Sequence, residues 1–135
     1  MDITLLTGKY FILQAVLVVV LVAAAVLAKK KLLKQHCFVM RLAVVVQLFI
    51  IVRGMFPSLV SHLRAGLPPD WFFAEMVGHA LVGLSIVSIW VFVNLAYTGV
   101  IKVRWRLVWP MRAAFGLWLL NFALGAHMYL FTQRL

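Results

Sequence analysis

Residues 16–31 read VLVVVLVAAAVLAKKK, an unbroken aliphatic run that ends at three consecutive lysines. Together with the apolar residues that precede it from Tyr10, the run is long enough for an α-helix to cross a membrane, which takes roughly 20 residues. A secretory signal carries its basic residues before the apolar run, whereas here they follow it. The stretch therefore predicts a transmembrane helix over residues 10–28 that ends on the cytoplasmic side of a membrane.

The rest of the chain contains three more apolar runs of membrane-spanning length, over residues 37–56, 71–97 and 107–132. Of the 135 residues, 66% are hydrophobic and 12% are charged, and a soluble domain of this size has too much surface to bury so much apolar material. We therefore predict an all-α polytopic membrane protein, a single domain over residues 1–135 folded as an antiparallel four-transmembrane-helix bundle. The stretch from Pro57 to Asp70 is predicted as a loop on the side opposite the lysines.

The distribution of charge predicts the orientation of this bundle. The chain has 13 Lys and Arg residues against 3 Asp and Glu residues, a net charge of +10. Nine of the basic residues fall in or beside the first and third connections, namely Lys29, Lys30, Lys31, Lys34, Arg41, Lys102, Arg104, Arg106 and Arg112. Because basic connections stay in the cytoplasm, we expect both termini outside, in the cytoplasmic (inner) membrane of a prokaryote. The charge then indicates topology and contact with anionic membrane lipids rather than nucleic acid binding.

Two histidines are the candidate metal ligands. At a rise of 1.5 Å per residue, His79 is predicted about 10 Å inside the outer end of the third helix, and His127 about 9 Å inside the outer end of the fourth. Ionisable residues within membrane spans are costly and are usually functional. Two imidazoles at one depth on facing helices suit axial ligation of a haem b iron near the outer membrane surface. We therefore predict that His79 and His127 bind the haem iron.

The surroundings of this pair also suit a haem site. Gly83, one helical turn after His79, leaves room for the macrocycle, and Arg53 and Arg64 are expected to bind the propionates by charge-assisted hydrogen bonds. The haem would exchange electrons with a quinol or a respiratory complex, and transfer across the membrane would need a homodimer or a second cofactor. The predicted function is electron transfer by a small cytochrome rather than enzymatic turnover. The single cysteine, Cys37, excludes an internal disulfide.

Other interpretations stay open at this point. A histidine within a membrane can simply hydrogen-bond between helices, and the chain would then be a cofactor-free structural or assembly subunit of a respiratory complex. His36, at the cytoplasmic start of the second helix, is an alternative haem or metal ligand. His62, in the predicted loop, is a candidate for contact with a quinone headgroup or a metal. Near the middle of the membrane, interhelical hydrogen bonds are expected from Gln47, Ser85 and Asn121.

Four segments carry a family resemblance: KKKLLKQHCFVMRLA at 29–43, EMVGHAL at 75–81, RWRLVWPMR at 104–112 and GAHMY at 125–129. The chain resembles the small four-helix membrane proteins of the CtaM type, which are linked to haem–copper oxidase assembly, and more broadly the minimal four-helix b-type cytochromes. His36 and His79 fall on the basic-His-x-x-x-Met and helix-start histidine positions of that pattern. The pattern has a further histidine at the start of the last helix, where this chain has Trp105 or Arg106. The resemblance implies a four-helix fold and a role beside a respiratory complex.

Overall fold

The computed structural model describes residues 3–66 and 70–134 of the chain. The helices, in chain order, are α1 (Ile3–Lys29), α2 (Leu33–Ile50), a π-helical turn (Ile51–Met55), α3 (Phe56–Arg64), α4 (Asp70–Tyr97) and α5 (Val108–Thr132). These described residues contain no β-strand. The chain is therefore all-α, as predicted.

Four helical segments are long and apolar enough to cross a membrane: Gly8–Lys29, Leu33–Arg64, Asp70–Tyr97 and Val108–Thr132. They confirm the prediction of a membrane protein with four helices of spanning length. The second segment is 32 residues long because α2, the π-helical turn and α3 follow one another without a break.

The prediction of a loop from Pro57 to Asp70 is wrong, because the chain stays helical as far as Arg64. Proline normally ends a helix, since it lacks an N–H and its ring collides with the carbonyl of the preceding turn. Here the π-helical turn comes first: the Phe56 N–H donates to the Ile51 carbonyl, five residues back. Pro57 then lies in the first turn of α3, where its missing N–H costs little.

The bundle is held together by contacts of α1 with α2 and α5, and of α4 with α5. A core of buried side chains joins all four spanning segments: Leu17, Leu21, Ala43, Val44, Ile50, Ile86 and Trp118. Gln47 is buried, and its Oε1 accepts a hydrogen bond of 2.9 Å from Gln14 Nε2, so the predicted interhelical role of Gln47 is confirmed. Ser85 instead donates to the Leu81 carbonyl of its own helix, so its predicted role between helices is wrong.

The Gln14–Gln47 bond leads to a stability prediction. Replacing Gln14 with leucine leaves the buried Gln47 amide without its partner, and we expect a loss of about 1–3 kcal/mol in the free energy of unfolding; Gln47→Leu leaves the half-buried Gln14 amide, with a loss at the lower end. Replacing both with leucine removes the unpaired group, so the double variant is expected to be more stable than either single variant. Reversible unfolding in mixed micelles with increasing dodecyl sulfate measures the free energy of unfolding of all three variants. Additive losses in the double variant would contradict the pairing.

The α1–α2 turn contains Lys31 in the left-handed backbone region, at φ +61°. The Lys31 N–H donates to the Ala28 carbonyl and the Leu32 N–H to the Leu27 carbonyl, which is the Schellman pattern that usually places glycine at this position. We expect Lys31→Gly to stabilise the fold by about 1 kcal/mol, because glycine adopts this conformation without a Cβ clash. Lys30→Gly removes the same charge without relieving a positive φ, and it is expected to show no gain in the same unfolding assay.

Candidate functional site

A cavity of about 420 Å³ opens between α1, α3, α4 and α5, within the size range of small-molecule and cofactor sites. Its wall is mainly aromatic and apolar, with Tyr10, Phe11, Phe72, Phe122, Tyr129, Met55, Met76 and Met128 among the lining residues. The polar side chains on the wall include Gln14, Ser58, His62, His79 and Asn121. An apolar wall with a few convergent polar groups is the usual form of a ligand site.

His79 is held against α5 by a hydrogen bond from its Nδ1 to the Asn121 backbone carbonyl, at 3.1 Å. A carbonyl oxygen only accepts hydrogen bonds, so Nδ1 carries the proton and Nε2 keeps its lone pair. Gly125 makes this close approach feasible, because a Cβ at that position would lie 3.1 Å from Cε1 of His79. The sequence-predicted ligand His79 therefore lies on the cavity wall with an unprotonated ring nitrogen.

His62 lies on the wall of the same cavity. Its Nδ1 is 2.8 Å from the Ser58 carbonyl one turn earlier in α3, so it too has its proton on Nδ1 and a lone pair on Nε2. From the sequence, His62 is expected in a loop, because Pro57 predicts the end of the helix. The helical spacing of the apolar residues Phe56, Leu59, Val60 and Leu63 is the signal that could have placed it in a helix.

His127, the second predicted ligand, is not among the residues that line this cavity. Its side chain is 63% exposed, and its Nδ1 lies 2.7 Å from Oε1 of Glu75, whose side chain is 12% exposed. His79 of α4 thus contacts α5, and His127 of α5 contacts α4. His79 lies on the cavity wall, whereas His127 is exposed on the surface of the bundle.

The predicted propionate-binding arginines differ in position. Arg64 lines a second cavity of about 420 Å³, which shares the wall residues Pro57 and Ser61 with the first, so Arg64 lies beside the histidine-containing cavity. Arg53 is exposed on the π-helical turn and lines neither cavity.

Gly83 and His36 lie apart from this site. Gly83 faces the side chain of Asn121, with a hypothetical Cβ 3.6 Å from Nδ2, and it is not part of the cavity wall. His36 joins the other helix pair, with its Nδ1 2.8 Å from the Ala24 carbonyl of α1. Neither residue lines the cavity that holds His62 and His79.

The side chains on the cavity wall can be compared with the ligands that a metal ion or a haem iron requires. Within residues 3–66 and 70–134, no three or more His, Cys, Asp and Glu side chains come together as a metal site. A haem iron needs only two axial ligands from the protein, and imidazole is a common one. The buried Oδ1 of Asn121 has no hydrogen-bond partner among the described residues, although Asn121 lines the cavity. This acceptor needs a hydrogen-bond donor, which a haem macrocycle does not supply, so the fit to haem rests on the imidazoles and the apolar wall.

Comparison of the chain with protein-family models, curated proteins and solved structures found no match. The class of protein therefore comes from the fold and the site alone: a helical membrane protein with four helices of spanning length. An apolar cavity in the bundle presents two imidazole side chains.

Proposed function

We propose that this chain is an integral membrane protein that binds haem b in the cavity, with His79 as an axial ligand. The observation that carries the proposal is the state of the two ring nitrogens of His79. Its Nδ1–H is bonded to the Asn121 carbonyl, which leaves a lone pair on Nε2 of a side chain that lines the cavity. Histidines that bind metals usually donate their other ring N–H to a carbonyl or carboxylate in this way, because the bond sets the tautomer and the ring orientation.

The wall of the cavity fits this group. Aromatic and methionine side chains provide apolar contact for a macrocycle and exclude water from it. Haem, when bound, supplies one-electron transfer, and the protein sets its potential through the axial ligands and the burial of the site. Arg64, beside the cavity, is the arginine best placed to bind a propionate, and Arg53 would have to reach it across the outer surface.

The orientation proposed with this function follows from charge. With the basic connections in the cytoplasm, the four helices form an antiparallel bundle with both termini outside, in the cytoplasmic membrane of a prokaryote. The basic connections then contact anionic lipids. His79 would lie near the outer face, within reach of a quinol or of a respiratory complex, and a homodimer would extend electron transfer across the bilayer. Maleimide labelling of single cysteines introduced at Lys30 and Arg134, in a Cys37→Ser background, tests this orientation in intact cells.

A second candidate function rests on the hydrogen bonds of three histidines. His79 and His127 each bond α4 to α5, and His36 bonds α2 to α1. Histidines that join helices in this way stabilise a bundle without any cofactor. The chain would then be a structural or assembly subunit of a respiratory complex of the haem–copper oxidase type.

One experiment separates the two functions. The full chain is purified in mild detergent from cells supplied with haem, and its spectrum is recorded before and after reduction with dithionite. The proposal expects a Soret band and sharp α and β bands in the reduced protein. A preparation free of haem that co-purifies with an oxidase complex would overturn it in favour of the cofactor-free subunit.

A further inference from the structure

We infer that His62 is the second axial ligand of the proposed haem, and that the π-helical turn Ile51–Met55 sets the register of the helix that carries it. The inference rests on the proposed function, because it names a ligand for the same group. It differs from the expectation drawn from the sequence, which paired His79 with His127.

The first step is the placement of the three histidines. His62 and His79 line one cavity, and each has its proton on Nδ1 and its lone pair on Nε2. His127 also bonds through Nδ1, to Glu75, but its side chain is 63% exposed and it lies outside the cavity wall. Two ligands of one iron must share one cavity, so the placement favours His62 over His127.

The second step is the register of the helix that carries His62. An α-helix turns by about 100° per residue, so positions 18 residues apart lie on the same face. In an unbroken helix, Ser61 would therefore lie in line with Ala43 and His62 in line with Val44, and both of these residues are buried. In the structure Ser61 is exposed, which departs from this pattern and matches the exposed Leu42, whereas a half-buried His62 fits either register.

The π-helical turn explains this shift by one position. It accommodates one extra residue, so each residue after it takes the face that its predecessor would have had. His62 thereby takes the position in line with Ala43 that Ser61 would have had, and Ser61 also lines the cavity. The same shift applies one turn earlier, where Ser58 is half-buried and Pro57 is exposed. Turns of this kind are rare, and they occur frequently at functional sites.

Two residues account for the turn at this place. Pro57 cannot donate the hydrogen bond of a regular helix to the Arg53 carbonyl, and its ring would collide with that carbonyl, which favours a wider turn directly before it. Gly54 is buried inside the turn against the ring of Tyr10, where a Cβ would lie 2.7 Å from the nearest ring carbon. The close approach holds the turn against α1, and Tyr10 is itself part of the cavity wall.

The ligand assignment is tested by alanine variants of the full chain, purified with haem supplied. We expect the unsubstituted protein to give the low-spin spectrum of two nitrogen ligands. His62→Ala is expected to retain haem on His79 as a five-coordinate, high-spin species, with haem binding weakened at least about tenfold, the lower end of what an outer-shell change costs. His127→Ala is the matched control, and its spectrum is expected to stay low-spin. A low-spin spectrum from His62→Ala together with a high-spin spectrum from His127→Ala overturns the inference.

The role of the turn is tested by changing the register without removing a histidine. One alanine inserted between Leu59 and Val60 turns His62 by about 100°, and the low-spin spectrum is expected to disappear. In the same background, Ser61→His returns an imidazole to the original face and is expected to restore the spectrum. A low-spin spectrum after the insertion alone, or no rescue by the second change, overturns the register argument.

A further variant removes the π-helical turn but keeps the face of α3 that carries His62 directed at the cavity. Deletion of Val52, which is 63% exposed, takes away the extra residue and leaves α3 facing as before, so the low-spin spectrum is expected to persist, at lower stability because Pro57 then lies inside a regular helix. Thermal unfolding of each variant without haem shows whether the bundle has formed. An unsubstituted protein that shows no Soret band defeats the haem proposal itself. A Soret band that His62→Ala leaves low-spin defeats only the present inference.

Discussion

His79→Ala is expected to abolish haem binding by the purified protein. Loss of an outer-shell partner of a metal-binding histidine typically costs about 10–100-fold in affinity, so we expect loss of the ligand itself to cost more than about a hundredfold. The same change removes the hydrogen bond to the Asn121 carbonyl that joins α4 to α5. The measurement is the ratio of haem to protein, from the pyridine haemochrome spectrum and the protein concentration, after titration of the purified variant with haemin.

The matched control is His36→Ala. His36 also bonds one helix to another through its Nδ1, but it does not line the cavity, so the substitution is expected to leave the haem ratio unchanged. Comparing the two variants separates loss of a ligand from loss of an interhelical hydrogen bond. Haem retention in His79→Ala, or equal loss in both variants, would contradict the assignment of His79.

The second large effect is expected from Gly54→Ala. A Cβ at this position would lie 2.7, 2.8 and 2.9 Å from three carbons of the Tyr10 ring, and a ring cannot yield as the end of a flexible side chain does. The ring or the backbone of the π-helical turn must move, and overpacking of this kind costs about 1–3 kcal/mol in the free energy of unfolding. Because Tyr10 lines the cavity, its displacement is also expected to weaken haem binding.

Two further variants make this prediction specific. Gly78→Ala adds the same methyl group in α4, where a Cβ would meet nothing within 4 Å, and it is expected to raise the stability by up to about 1 kcal/mol. Combining Gly54→Ala with Tyr10→Leu replaces the rigid ring by a flexible side chain and is expected to recover part of the loss. Equal stability of the two glycine variants in mixed-micelle unfolding would show that the contact with Tyr10 does not constrain the turn.

The contrast between Pro57 and the apolar residues after it shows where prediction from the sequence stops. Proline and glycine between apolar runs usually indicate a loop, and that rule led to the wrong end for the second span. The helical spacing of Phe56, Leu59, Val60 and Leu63 pointed the other way. Local rules could not decide between the two signals, because the π-helical turn that reconciles them depends on the packing of Gly54 against Tyr10 of another helix.

The amino-acid sequence by itself determined the class of the protein and the number of its helices of spanning length. Hydrocarbon requires about 20 apolar residues per crossing whatever their neighbours are, so composition and run length were sufficient. It also predicts His79 and His127 at comparable depth, since the predicted depth depends only on the rise per residue. The rotation of each helix about its own axis was decided by the tertiary structure alone. Rotation depends on which side chains pack between helices, and it is the reason that His62, rather than His127, lines the cavity with His79.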